Sequence, residues 1–209
     1  MMPYAAVDVS SLNDHVGHLR SQIWWGNTLL LVIETTMFGV LAASYLYVRR
    51  NFDVWPPPRV ERDPVLYDAD PSLLVPTLAL LVLVALAWPM RRTDVAAANK
   101  EYGSVVRGLA VTMAGLVVML VLRAFEFPAL HFRWDDNAYG SVVWILLGTH
   151  LLHVIVALLE ALLLFLWVRR HGIDDKHARD VRVWTRYGYW VVAVWLPLYA
   201  LLYLAPQAF

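Results

Sequence analysis

The residues able to do chemistry in this chain are few, and most of them sit inside long apolar runs. Glu34 lies in the middle of one such run. At 100° per residue, Asn27, Glu34, Phe38, Leu41 and Tyr45 fall within about 60° of arc, so Asn27, Glu34 and Tyr45 draw a polar line along one helix face. A second run carries His150, His153 and Glu160 within roughly 100° of arc, with the small Ala157 and Ala161 among them. Arg123 and Glu126 end another run at a spacing of three, which permits an ion pair on one face. An ionisable group at bilayer depth is expensive and faces protein or water. Glu34 is therefore a candidate proton-linked or interface carboxyl, set against a plain hydrogen-bonded acid between helices. Asn27, Tyr45, Glu126, His150, His153 and Glu160 form a candidate polar packing core, because polar side chains among small ones suit close, hydrogen-bonded helix contacts. A metal held by His150, His153 and a carboxylate is the sharper alternative. The two imidazoles share one face, so they do not ligate opposite sides of one haem. The reading adopted assigns no metal ligand and no catalytic residue, and neither a Gly-rich phosphate loop nor a Ser–His–Asp set is apparent.

The elements that position these groups are set by lipid. Hydrophobic residues make up 60% of the 209 and charged residues 16%, where a soluble domain averages roughly 45–50% and about 25%. Five runs reach the roughly 20 residues that a bilayer core requires: 24–48, 72–90, 104–125, 139–168 and 187–205. They are continuous rather than alternating, which favours helix over barrel strand. The expected fold is all-α, a polytopic membrane bundle of five transmembrane helices. Residues 1–23 are read as a polar cytoplasmic N-terminal segment without a cleavable signal peptide, and 24–209 as the membrane domain. Pro197 is expected to kink the last helix. Zero net charge leaves no electrostatic case for nucleic acid. The absence of cysteine excludes disulfides, Cys-ligated zinc, iron–sulfur clusters and a Cys-bridged copper centre.

Basic residues orient the bundle. With the N-terminus inside, Arg20, Arg91, Arg92, Lys100, Arg107, Arg169, Arg170, Lys176, Arg179, Arg182 and Arg186 face the cytoplasm. Arg49, Arg50, Arg59, Arg62 and Arg133 face outward. Eleven against five predicts N-terminus in and C-terminus out, the latter periplasmic or extracellular. Trp24, Trp25, Trp88, Trp167 and Trp184 flank the runs and are expected at headgroup depth. The 49–71 connection holds Trp55-Pro56-Pro57-Pro58 and mixed charges (Asp53, Arg59, Glu61, Arg62, Asp63), and is either a docking surface or a solvated linker.

These motifs, in this order, resemble the subunit III family of haem-copper oxidases, in its shorter five-helix bacterial form. Trp25-Gly26 through Glu34, and Phe38 to Tyr45, are similar to the family's first core helix with its intramembrane glutamate. Trp55-Pro56-Pro57, Pro76-Thr77, Phe125-Glu126-Phe127 and Tyr139-Gly140-Ser141 resemble successive family motifs. The segment Gly148-Thr149-His150-Leu151-Leu152-His153-Val154 resembles the most specific one, and Val194-Trp195 to Tyr199 the closing helix. The chain departs from the family at Ile33, Pro76, Arg123, Gly188, Tyr189, Trp190 and Val192. The resemblance implies a non-catalytic subunit of a terminal oxidase, most simply cytochrome c oxidase, in the inner (plasma) membrane of a bacterium. Its implied partners are subunit I, which holds haem and copper, subunit II, which receives electrons, and membrane phospholipid bound in a cleft between its helices. It implies no cofactor in the chain itself beyond bound phospholipid, and a role in sustaining proton uptake and active-site stability, with Glu34 as the residue for that role. A quinol oxidase or a nitric oxide reductase-associated complex is the related alternative. An independent transporter or metal-binding membrane protein is the alternative of another class.

Overall fold

The computed structural model describes residues 22–53, 55, 57, 72–130 and 132–208. Five helical passes are long and apolar enough to cross a membrane. They are α1 (Gln22–Arg49); α2 (Leu74–Ala85) continued by α3 (Ala87–Ala98); α4 (Tyr102–Ala129); α5 (Ala138–His171); and α6 (Asp175–Tyr199). The last runs through a π-helical turn, Ala200–Leu204, into the short α7 (Ala205–Ala208). No strand occurs among the described residues. The polar segment before residue 22, His131, and most of the 49–71 connection, including Pro56, Pro58, Arg59, Glu61, Arg62 and Asp63, lie outside the described residues.

The helices overrun the apolar runs, because hydrogen bonding along a backbone does not stop where hydropathy falls. The second pass continues beyond Met90 to Ala98, carrying Arg91 and Arg92 on helix. Its interruption at Leu86 has a local cause. Pro89 has no N–H to offer the carbonyl of Ala85, while Leu86 N–H still donates to Val82 O and Met90 N–H to Leu86 O, each at 3.1 Å. The last pass starts at Asp175 rather than near residue 187. The Asp174 carboxylate caps it by accepting the His177 N–H at 2.7 Å. One consequence corrects an expectation. Trp184 is not a headgroup anchor; it is buried well inside α6, and its Nε1–H donates to the carbonyl of Ala157 at 2.9 Å. Pro197 lies inside α6, and the π-helical turn begins three residues later, at Ala200.

α6 is the central helix and α1 the peripheral one. Half of the apolar window of α6 (50%) is buried inside the chain, against 11% for α1. α1 leans on α5 and α6, and its only fully buried residues are Phe38 and Tyr45. α4 lies close on the second pass because two of its contact positions lack a side chain. A Cβ at Gly108 would stand 2.1 Å from Thr93 Oγ1, and one at Gly115 2.2 Å from Leu86 Cδ2. At one end of the bundle Tyr45, Trp55, Phe132 and Tyr139 form an aromatic plug; Trp55 donates its Nε1–H to Tyr45 Oη at 3.1 Å and meets the Tyr139 ring edge-on at 4.8 Å. Trp55 is thus an anchor for its connection rather than part of an exposed docking surface. At the opposite end, Arg182 pairs with Asp94 at 3.1 Å and Lys100 with Asp175 at 2.7 Å.

Candidate functional site

Two polar clusters occupy the interior of the passes. The first joins α1 to α5 near the middle of both. Glu34 Oε2 stands 3.2 Å from His153 Nε2. The other ring nitrogen, Nδ1, lies 2.7 Å from the carbonyl oxygen of Thr149, which only accepts. That contact fixes Nδ1 as a donor. With Nδ1 so engaged, the Nε2–Oε2 contact is a hydrogen bond when one proton lies between the two atoms. That proton resides either on nitrogen, giving imidazolium and carboxylate, or on oxygen, giving two neutral groups, and the pair has no net charge in either form. Phe38 and Trp190 wall the imidazole at 5.2 and 5.3 Å, and Tyr187 Oη donates to the carbonyl of His153 at 3.4 Å. Trp190 ties the same region to α1 through a 2.8 Å bond from its Nε1–H to Thr35 Oγ1. Only 10% of the His153 side chain is exposed, against 24% for Glu34, so the carboxyl is the member reachable from outside the chain.

The second cluster is sealed. Arg123 is 0% and Glu126 1% exposed. Nη1 of Arg123 donates to both oxygens of Glu126, at 2.7 and 2.6 Å. Its Nη2 points to His150 Nδ1 at 3.3 Å, which makes that nitrogen an acceptor and leaves Nε2–H to donate to Val191 O at 3.2 Å. His150 is thereby held as the neutral Nε2–H tautomer. The Trp195 ring stacks on His150 at 4.4 Å and lies 4.1 Å from the Arg123 guanidinium carbon. Tyr203 Oη donates to Glu126 Oε1. The cluster has one positive and one negative charge, both hydrogen-bonded, which is the condition under which a low-dielectric interior tolerates them.

The residues singled out in the sequence divide accordingly. Glu34 and His153 are brought together, as are Glu126 and His150, while Tyr45 is buried in the aromatic plug. His150 and His153, three apart on α5, turn to different neighbours, one toward α4 and α6 and the other toward α1. Glu160 does not join a packing core: it is exposed on α5. It follows His153 by two turns on the same face. Asn27, half-buried on α1, makes no hydrogen bond among the described residues. Arg123 was read as the ion-pair partner of Glu126 but not as a contact of His150, and Trp195 and Tyr203 were missed as site residues. Those two look like ordinary core aromatics in the sequence. Among the described residues no group of three or more His, Asp or Glu side chains is arranged to hold a metal ion, and both nitrogens of each intramembrane imidazole already have protein partners.

The family model described as cytochrome c oxidase subunit III matches residues 6–206. Cytochrome c oxidase subunit 3 of Thermostichus vulcanus is 28% identical over 181 residues, covering 86% of this chain and 85% of the relative. The protein of the same name from Synechocystis sp. is 29% identical over 193 residues, 91% of this chain and 78% of the relative. That of the yeast Vanderwaltozyma polyspora is 23% identical over 201 residues, 94% and 72%.

Proposed function

The chain belongs to the cytochrome c oxidase subunit III family, and on that premise we propose that it is the non-catalytic third subunit of a haem-copper terminal oxidase. In this reading it packs on subunit I within an assembly that includes subunit II, binds phospholipid, and supports proton uptake and the stability of the active site. Haem and copper belong to the partner subunits. His150 and His153 are committed to Arg123, Val191, Thr149 and Glu34, which suits a supporting subunit better than a redox one. In this reading the N-terminus faces the cytoplasm, the orientation that the eleven-to-five distribution of basic residues favours.

The observation that carries the proposal is the Glu34–His153 pair. With one proton shared between them the two groups are electrically neutral at mid-membrane depth, and Glu34, the more exposed member, is reached from the edge of the bundle. Such a pair exchanges a proton with a neighbouring protein surface without stranding a charge in lipid. The test is purification in mild detergent with an optical spectrum. Co-purification with a haem-bearing chain, with no chromophore in the subunit itself, is expected. A chain that runs alone and carries stoichiometric metal would reject the proposal in favour of an independent metal-binding or transport protein. A Cys-bridged copper centre in subunit II identifies cytochrome c rather than quinol as the electron donor.

A further inference from the structure

Neither polar cluster accounts for a groove of about 570 Å³ between α3 and α4, at the end of the bundle where Asp94 meets Arg182. Its lining changes character along its length. Toward the end of the bundle stand three guanidinium groups, Arg91, Arg92 and Arg107. Toward the apolar part of the passes stand Trp88 and Val111, which are 60% and 56% exposed. Arg92 is held by its stack on Trp88, with the guanidinium carbon 3.9 Å from the ring centroid, and Arg107 Nε donates to Gly103 O at 3.1 Å. Among the described residues none of the three arginines forms an ion pair, although Arg182 at the same end of the bundle does. The one carboxylate on the rim, Glu101, accepts from Asn99 at 3.3 Å. The groove is therefore cationic where it meets the aqueous boundary and apolar where it enters the membrane.

We infer that this groove binds the headgroup of one anionic phospholipid of the phosphatidylglycerol class. The phosphate sits against Arg91, Arg92 and Arg107, and the glycerol and upper acyl chain lie along Trp88 and Val111. Guanidinium groups match phosphate oxygens through paired N–H donors, and basic pockets between transmembrane helices at the cytoplasmic boundary are where acidic lipids dock. A free anion would use only the cationic half of the groove and leave its apolar half in contact with bulk lipid. The inference deepens the reading of the chain as a lipid-bearing oxidase subunit and takes from it the membrane setting. It names a site and a charge class that neither Glu34 nor the sealed Arg123 cluster supplies.

The test uses the complex as purified, or the full chain if it comes alone. The sample is exchanged into mixed dioleoylphosphatidylglycerol and dioleoylphosphatidylcholine, retained lipids are counted by native mass spectrometry, and the absorption spectrum is recorded. One phosphatidylglycerol should be retained saturably, with no equivalent retention of phosphatidylcholine and no displacement by excess inorganic phosphate. Arg107→Gln should weaken retention about fivefold and the combined R91Q, R92Q and R107Q variant roughly a hundredfold, one surface cation's worth for each. Val111→Trp, which fills the apolar half without changing charge, should weaken it as well, and Arg182→Gln should not. Undiminished retention in the triple variant, an equal loss in R182Q, equal binding of phosphatidylcholine, or displacement by phosphate alone would each overturn the assignment. So would retention confined to chains stripped of their partners, because a protein segment would then fill the groove in the complex. Haem is read separately in the same sample. Its absence with the lipid retained would sink the oxidase reading and leave the groove standing.

Discussion

Glu34 and His153 face each other across 3.2 Å, and under the proposed function the exchangeable proton between them matters more than either side chain alone. Glu34→Gln separates the two roles. A glutamine amide donates an N–H to the Nε2 of a neutral imidazole, so the contact between α1 and α5 survives while no exchangeable proton remains in it. Assembly and haem content should match the parent complex, while protons pumped per electron fall or inactivation during turnover accelerates. If pumping stoichiometry and enzyme lifetime were both unchanged, Glu34 would be scaffold only. Arg123 and Glu126 behave differently because they are sealed. Arg123→Met leaves a buried carboxylate without its cation, at a cost of about 3–5 kcal/mol. The subunit should then be lost from the complex or unfold far earlier in detergent. Removing Glu126 as well, as Arg123→Met with Glu126→Leu, should recover most of that loss, since replacing both members of a buried pair is close to neutral. A single variant as stable as the parent would show that the pair is not sealed.

At the scale of elements, helix ends decide more than helix middles. Gly140 opens α5 with its N–H on the side chain of Asn137 at 2.8 Å, and a Cβ there would stand 2.4 Å from the backbone oxygen of Arg133. Backbone does not give way as a flexible side chain does, so Gly140→Ala should destabilise the solubilised subunit by about 1–3 kcal/mol, read as an earlier thermal unfolding. The other capped end adds a pH dependence. The His177 backbone N–H, helped by the imidazole of the same residue, holds the exposed Asp174 carboxyl below its ordinary range. Stability from a lowered carboxyl is present above the ordinary value and lost as pH falls through the lowered one. Amide exchange in the first turn of α6 should thus quicken only under acid, and Asp174→Asn, which caps without titrating, should abolish that acid step. These ends also mark what could be read in advance. The packed face of α1 was legible from spacing, since Phe38 and Tyr45 are the residues it buries, and so was the Arg123–Glu126 pair. The start of α6 was not, because hydropathy reports where lipid begins and the cap at Asp174 lies in a polar stretch; Trp184 was misplaced for that reason. Glu160 was misplaced because a helical wheel gives the face of a residue but not how closely a neighbouring helix packs on it, and Glu160 is exposed.

For the whole molecule, the open quantity is which way the bundle stands in the membrane. The Asp94–Arg182 and Lys100–Asp175 pairs tie the end of the second pass to the start of the last one, so these charges share one end whatever the orientation. The Trp55 plug marks the other end. Basic residues crowd the first end, and translocating them is what the positive-inside bias opposes. The chain contains no cysteine, so each introduced thiol gives one unambiguous label. In right-side-out vesicles a membrane-impermeant maleimide should modify Asn51→Cys and Arg133→Cys but not Asn99→Cys or Lys176→Cys, and inverted vesicles should reverse the pattern. If all four labels exchange sides, the bundle stands and only its orientation falls. If Asn99 and Lys176 label from opposite sides, the five-pass arrangement itself falls, because the ion pairs joining those segments would have to span the bilayer. The same labels fix the leaflet of the groove between α3 and α4. Arg91, Arg92 and Arg107 lie toward the Asn99 end of their helices, so a cytoplasmic Asn99 places the phosphate of the bound lipid in the inner leaflet.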